Sequence, residues 1–276
     1  MKPVPRSPAP LPPVSISEHD GVRYLHLGSV WVQGAMRIAA PQTVELDYVQ
    51  RMLAALLWLP GDSLGQGQAV QLGLGAGALT RFCARQLRMA TTVVELNPQV
   101  VAANAAKFHL PREAEVVVGD AADWLMQAQA ASVRLLHVDL YDEEAAAPVL
   151  DSLDFYRACR RVLEPGGVMA VNLFGRAASF EASSRRIAAA FGVGRVWRLR
   201  PTREGNSVVV AGRQVALPGR VELQARAALL EQRFGRLGLP ARKWLRMLRP
   251  LQSVPAGPPE NGGSGGSGGS GIGDSA

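Results

Sequence analysis

Ala69-Val70-Gln71-Leu72-Gly73-Leu74-Gly75-Ala76-Gly77-Ala78-Leu79-Thr80 reads as a short apolar strand, a glycine-rich turn and the first residues of a helix. Glycines at a β-to-α turn permit positive φ and let backbone amides approach a ligand closely. By itself the loop is open to a plainer reading, since any tight β-to-α turn favours Gly. The residues downstream of the loop decide between the two. From Ala69 onward strands and helices alternate, the pattern of a largely parallel sheet covered on both faces.

The expected strands are Ala69 to Leu72, Thr91 to Glu95, Glu115 to Val118, Val133 to Val138 and Val168 to Leu173. Between them lie expected helices at Ala78 to Arg88, Pro98 to Lys107, Ala121 to Gln129 and Ser152 to Leu163. Asn97 before Pro98 marks one helix start, because Asn caps orphan amides and Pro suits the first helical position. Glu164-Pro165-Gly166-Gly167 stops the fourth helix. After a helix near Phe180 to Phe191, Val193 to Leu199 and Ser207 to Ala211 read as a closing antiparallel pair. The sum is a Rossmann-like α/β fold with a seven-stranded, mostly parallel sheet and helices on both faces.

Outside that core, residues 1–14 read as a Pro-rich disordered tail. Residues 15–60 hold a β-hairpin, Val22 to Leu27 and Val30 to Gln33 around Gly28-Ser29, and a helix from about Val44 to Leu57. The nucleoside-binding catalytic domain is expected over 61–215. A C-terminal helical extension comes next over 216–256, with Leu223, Ala227, Leu230 and Phe234 on one apolar stripe of its first helix. Residues 257–276, rich in Gly and Ser, bury too little apolar area to order.

Composition narrows the class. Hydrophobic residues make up 47% of the 276 and charged ones 19%, enough for a large core and unlike a disordered chain. The net charge of +7 is carried mainly by scattered arginines without aromatic interleaving, which reads as a solvated basic face rather than a nucleic-acid surface. Cys83 and Cys159 lack metal-ligand spacing, so no metal is expected and both read as core residues of a reducing compartment. The N-terminus has no signal-peptide apolar run, and nothing approaches the roughly 20 apolar residues needed to span a bilayer. A soluble, cytoplasmic protein is expected.

Ligands of such sheets bind at the carboxyl ends of the strands. Glu95 ends the second strand, twenty-two residues beyond Gly73, where nucleotide binders place a carboxylate against ribose hydroxyls. Its plainer alternative is a strand-end acid facing water. Asp120, in Val118-Gly119-Asp120-Ala121, is placed either to meet an adenine amine or to cap the next helix. Asp139 closes Leu135-Leu136-His137-Val138, and Asp142 comes three residues later with Glu143 and Glu144, forming an acidic patch that a solvated loop also explains. His137 reads as a core residue.

Together these residues resemble the spermidine synthase family of polyamine aminopropyltransferases over roughly Val22 to Ala211. The resemblance rests on Trp31-Val32-Gln33, Glu45-Leu46-Asp47-Tyr48, Gly73 to Thr80, Val93-Val94-Glu95 and Gly119-Asp120-Ala121. Asp139 with Asp142, and Pro201-Thr202 with Asn206, complete it. It implies an enzyme of polyamine biosynthesis on a class I S-adenosylmethionine-dependent methyltransferase-like fold, moving an aminopropyl group from decarboxylated S-adenosylmethionine to a small amine or polyamine. Gly73, Gly75, Gly77, Glu95, Asp120 and Ala121 would hold that donor with Gln33 near its thioether end. Asp139 with Tyr48 would act as base, Glu45 and Asp142 would hold the acceptor's cationic end, and a homodimer is implied. The pattern departs at Ala76, where members usually carry a donor-contacting Asp, at the acidic loop after Asp142, at Val49 for a usual Gln, and at Arg203 for a usual Tyr. Two alternatives therefore stand: methyl transfer from S-adenosylmethionine to a small acceptor, and a non-catalytic nucleoside-binding protein.

Overall fold

A computed structural model describes residues 11–140, 150–174 and 177–251. Three strands come first, β1 (Val14–His19), β2 (Val22–Leu27) and β3 (Val32–Arg37), forming an antiparallel sheet in that order. The expected hairpin thus gains a third strand on its N-terminal side, joined through Asp20-Gly21. Both turn residues have positive φ, 48° and 72°, which matches the right-handed twist of the flanking strands.

Helix α1 (Asp47–Met52) is shorter than the expected Val44 to Leu57 and tightens into 3₁₀ turns over Leu53–Trp58. Every residue of that tight segment is buried. With no face turned to water it carries no amphipathic period, and it packs against the central sheet on one side and a C-terminal helix on the other.

The central sheet contains β4 (Gln68–Leu72), β5 (Ala90–Glu95), β6 (Glu115–Val118), β7 (Val133–Val138), β8 (Leu163–Leu173), β9 (Val196–Arg198), β10 (Ser207–Gly212) and β11 (Arg249–Pro250). Their spatial order is β11-β9-β10-β8-β7-β4-β5-β6. Strands β4 to β8 run parallel, while β10, β9 and β11 pair antiparallel at one side. The expected architecture is present, with the two-residue β11 as one strand more than the sequence pattern announces. Because β4 pairs with β5 on one side and β7 on the other, the strand order reverses at β4, and a crevice opens there.

Helices α2 (Ala78–Arg81), α3 (Pro98–Lys107), α4 (Ala121–Gln127), α5 (Leu153–Val162), α6 (Ala177–Phe191), α7 (Arg220–Phe234) and α8 (Ala241–Met247) clothe the sheet. Alternate residues of each strand serve opposite layers. Leu135, Ala170 and Val210 join α1, α7 and α8 in one core, whereas Leu136, Met169 and Val209 join α4, α5 and α6 in the other. The stripe Ala227, Leu230 and Phe234 is buried as its spacing requires, with Leu223 packed beside it. Among the described residues no helix is long and apolar enough to cross a membrane.

Candidate active site

Parallel strands deliver their last residues to one rim. Gly73 succeeds β4, Glu95 ends β5, Asp120 lies two residues beyond β6, and Asp139 succeeds β7. Main-chain bonds carry the ladder into the rim: Gly73 N donates to Val94 O at 2.8 Å and Asp139 N to Leu72 O at 2.9 Å. Gly73 has φ +88°, and a Cβ placed on it would sit 2.1 Å from the Asp139 carbonyl oxygen. Glycine is therefore required here by the turn and by the backbone of the next-door acid.

Two clefts open at this rim. The first is lined by Gln33, Gly75, Glu95, Asp120, Ala121 and Asp139, with Leu25, Val94, Leu96 and Val100 among its apolar walls. Most of the expected donor-side residues and the expected base therefore surround one space, while Gly73 and Gly77 shape the turn instead of lining the cleft. Gly77, at φ +68°, precedes α2 and has the Asn104 side chain 2.7 Å from where a Cβ would be.

Glu95 Oε2 accepts from Leu74 N at 2.9 Å and Oε1 accepts from Asn97 N at 2.8 Å. The glycine turn and the start of α3 thus fix its rotamer, and each oxygen keeps a second lone pair for a ligand hydroxyl. Burial pushes the Glu95 carboxyl up from its ordinary value, against the pull of these amides. Asp120 does cap α4: its Oδ1 accepts from Ala122 N at 2.7 Å and Asp123 N at 3.1 Å. Both bonds fall on one oxygen, and Asp120 also lines the cleft, so capping and ligand contact are compatible.

The second cleft is lined by Trp31, Gln33, Glu45, Tyr48, Asp139, Asn172, Phe174, Glu204 and Asn206. It shares Gln33 and Asp139 with the first. Asp139 is held from both sides, by Tyr48 Oη donating to Oδ2 at 3.2 Å and Asn172 Nδ2 donating to Oδ1 at 2.9 Å. Asn206 Nδ2 in turn donates to Asn172 Oδ1 at 3.1 Å. Burial raises the Asp139 carboxyl above the usual carboxylate range, while the bonds from Asn172 and Tyr48 draw it back down. A carboxylate with that balance accepts a proton readily and stays oriented while doing so.

Asn172 has no place among the residues expected from sequence. Its signal is a lone polar side chain, buried to 4% exposure, in the apolar strand Val168-Met169-Ala170-Val171-Asn172-Leu173. Glu45 is in the second cleft as expected, yet it is already bound: Arg37 donates from Nη2 to Oε1 at 2.7 Å and from Nε to Oε2 at 3.1 Å. Asp142, Glu143 and Glu144 lie outside the described residues. His137 is a core residue, its pKa brought down to about 3 by burial, so the ring is neutral. Among the described residues no three His, Cys, Asp or Glu side chains are grouped to hold a metal ion.

A buried arginine ties these parts together. Arg81 on α2 donates to the carbonyls of Ala76 at 2.6 Å, Phe108 at 2.7 Å and Pro41 at 3.0 Å. Burial, with Arg85 nearby, lowers it to about 10.

The reversal in strand order, the glycine turn and the strand-end acids define a methyltransferase-like α/β fold with a ligand-sized cleft at its switch point. A methyltransferase domain family matches residues 70–172. The polyamine aminopropyltransferase of Chromobacterium violaceum is 35% identical over 230 residues, 82% of this chain and 86% of that protein. That of Neisseria meningitidis serogroup A is 31% identical over 229 residues, 81% of this chain and 85% of that one. In fold the chain is similar to a probable spermidine synthase from Corynebacterium glutamicum, with TM-score 0.68 and 17% identity over 88% of this chain and 94% of that one. Human methyltransferase-like protein 13 in complex with SAH gives TM-score 0.62 and 19% identity over 69% and 93%. The chain belongs to the polyamine aminopropyltransferase family and is a transferase.

Proposed function

We propose that this chain transfers an aminopropyl group from decarboxylated S-adenosylmethionine to a small amine or polyamine in the cytoplasm. The observation that carries the reading is the meeting of two clefts at one oriented carboxylate, Asp139. The first cleft takes the nucleoside, with Glu95 accepting from the ribose hydroxyls and Asp120 from the adenine amine. Gln33, common to both clefts, stands beside the sulfonium. Ala121 and Gly75 supply close-approach backbone.

A primary ammonium has a pKa of about 10 and is no nucleophile until it loses a proton. Asp139 takes that proton while Tyr48 and Asn172 keep its oxygens aimed. The amine nitrogen then attacks the propyl carbon next to sulfur, the new C–N bond forms as the C–S bond breaks, and the sulfur leaves as the neutral thioether of methylthioadenosine. In-line placement of nitrogen, carbon and sulfur across the shared wall supplies the larger part of the acceleration. Asp142 and Glu45 are assigned to the acceptor side.

Donor choice is open to direct measurement. Ala76, where the family usually has Asp, is 3% exposed and packed on Gly34, so the turn presents no side-chain anion there. Calorimetric titration with decarboxylated and intact S-adenosylmethionine is expected to favour the former by about tenfold or more. Tighter binding of the intact donor, with a methylated product and S-adenosylhomocysteine instead of methylthioadenosine, would overturn aminopropyl transfer in favour of methyl transfer.

A further inference from the structure

Among the described residues four carboxylates line the second cleft: Glu45, Asp47, Asp139 and Glu204. Asp139 occupies the junction with the donor cleft. Asp47 and Glu45 are each gripped by an arginine at two points, but in different ways. Arg51 holds Asp47 one helical turn away, at 2.6 and 3.0 Å, is itself buried, and also bonds the Arg200 carbonyl, so it ties α1 to the strand region behind it. Arg37 holds Glu45 from the end of β3, across a loop, at the cleft's edge: the arginine side chain is 44% exposed and the glutamate 21%. The rest of the lining is mixed, with Gln33, Asn172, Glu204 and Asn206 polar and an apolar group beside them. Val30, Trp31 and Val32 are 88%, 54% and 42% exposed, and Phe174 faces the same space.

A guanidinium fork uses both carboxylate oxygens and nearly cancels their field. An ammonium brought to Glu45 therefore meets a compensated pair, with a positive charge about as near as the negative one, and must shed its hydration for little return. An alkyl segment beside Trp31 and Phe174 incurs no such loss.

We propose that Arg37 is a specificity-determining residue: by holding Glu45 in a two-point pair it makes that end of the acceptor cleft favour an uncharged alkyl portion over a second ammonium. The proposal rests on the second cleft being the amine site. It assigns Arg37 the charge requirement of the acceptor, independently of the base and the donor.

Calorimetric titration of the full chain at neutral pH with 1,4-diaminobutane and with 1-butylamine gives the ratio of their dissociation constants. Any contribution of residues 142–144 is common to all the proteins compared and cancels when ratios are divided. In Arg37→Gln the preference for the diamine is expected to rise about fivefold over the unaltered protein. In the Arg37→Gln/Glu45→Gln double variant it is expected to return to within about twofold of the original. Should Arg37→Gln be too unstable to titrate, Arg37→Lys keeps the charge without the fork, and a rise of about twofold carries the same meaning. A ratio untouched by the Arg37 change, or a gain that persists without Glu45, overturns the assignment while leaving the amine site standing. Failure of both amines to bind any of the proteins overturns it together with the amine reading of the cleft.

Discussion

Replacing Asp139 by Asn separates the chemical role of this side chain from its structural one. Asn has the same shape, and its Oδ1 still accepts from Asn172 Nδ2, 2.9 Å away. Its Nδ2 stands where Oδ2 was, so Tyr48 Oη, at 3.2 Å, turns from donor to acceptor. The clefts and the donor contacts proposed for Glu95 and Asp120 are expected to persist, but the amide takes no proton. A positioned general base is worth about 10²–10⁴ in rate, so kcat is expected to fall about 10³-fold, or ~4 kcal/mol of barrier, with the donor KM little changed. Stability should move the other way. Burial raises the Asp139 carboxyl above its unfolded value, so its contribution to stability is fully present in acid, below the unfolded pKa, and is lost as pH rises through the folded one. Once the pH exceeds its folded value the ionised group works against folding, and the neutral Asn is expected to raise Tm by about a few degrees. On acidification the advantage disappears. Chromatographic detection of methylthioadenosine and scanning calorimetry across pH measure both effects. A kcat within about tenfold of the original, or a Tm below it at alkaline pH, would refute the assignment.

Removing the Asn172 amide by Asn172→Ala deletes a bond that draws the Asp139 carboxyl downward, so the acid limb of the kcat/KM profile should shift to higher pH. An unshifted limb would mean that Asp139 is not the titrating base. Gly73→Ala forces a Cβ to within 2.1 Å of the Asp139 carbonyl at φ +88°, and about 3 kcal/mol or more of stability should be lost, measured by urea unfolding. Burial pushes the Cys83 thiol up to about 12 and Cys159 up as well. Neither should react with a thiol reagent in the native protein, and both should react in urea.

The sheet is legible in the sequence because its parallel strands are short apolar runs stopped by charge or glycine, buried on both faces except at the β6 edge. Glu115–Val118 and Val133–Val138 fall where the residue pattern places them, and Glu95 and Asp139 announce themselves as the acids that close such runs. β1 escapes the pattern because five of its six residues, among them Ser15, Ser17, Glu18 and His19, are exposed and form no apolar face. Its one local signal is Asp20-Gly21. β11, two residues long, carries no pattern at all. Asn172 escapes for another reason: its partner is fixed by β8 lying beside β7, with Val171 opposite Val138, a neighbourhood that strand composition does not encode. The Arg37 fork on Glu45 likewise depends on how a loop folds back over eight residues.

Arg81 fastens the connector at Pro41, the glycine turn at Ala76 and the end of α3 at Phe108 to a single cation. Its burial makes each of those attachments hard to give up, since a freed guanidinium would find no water to replace the lost carbonyl. Displacement of the connector that trails the three-stranded sheet therefore pulls, through Arg81, on the glycine turn at Ala76. Lengthening or shortening the chain between Ile38 and Thr43 is thus expected to disturb two places together, the glycine turn through Arg81 and the Arg37–Glu45 pair that brackets this segment.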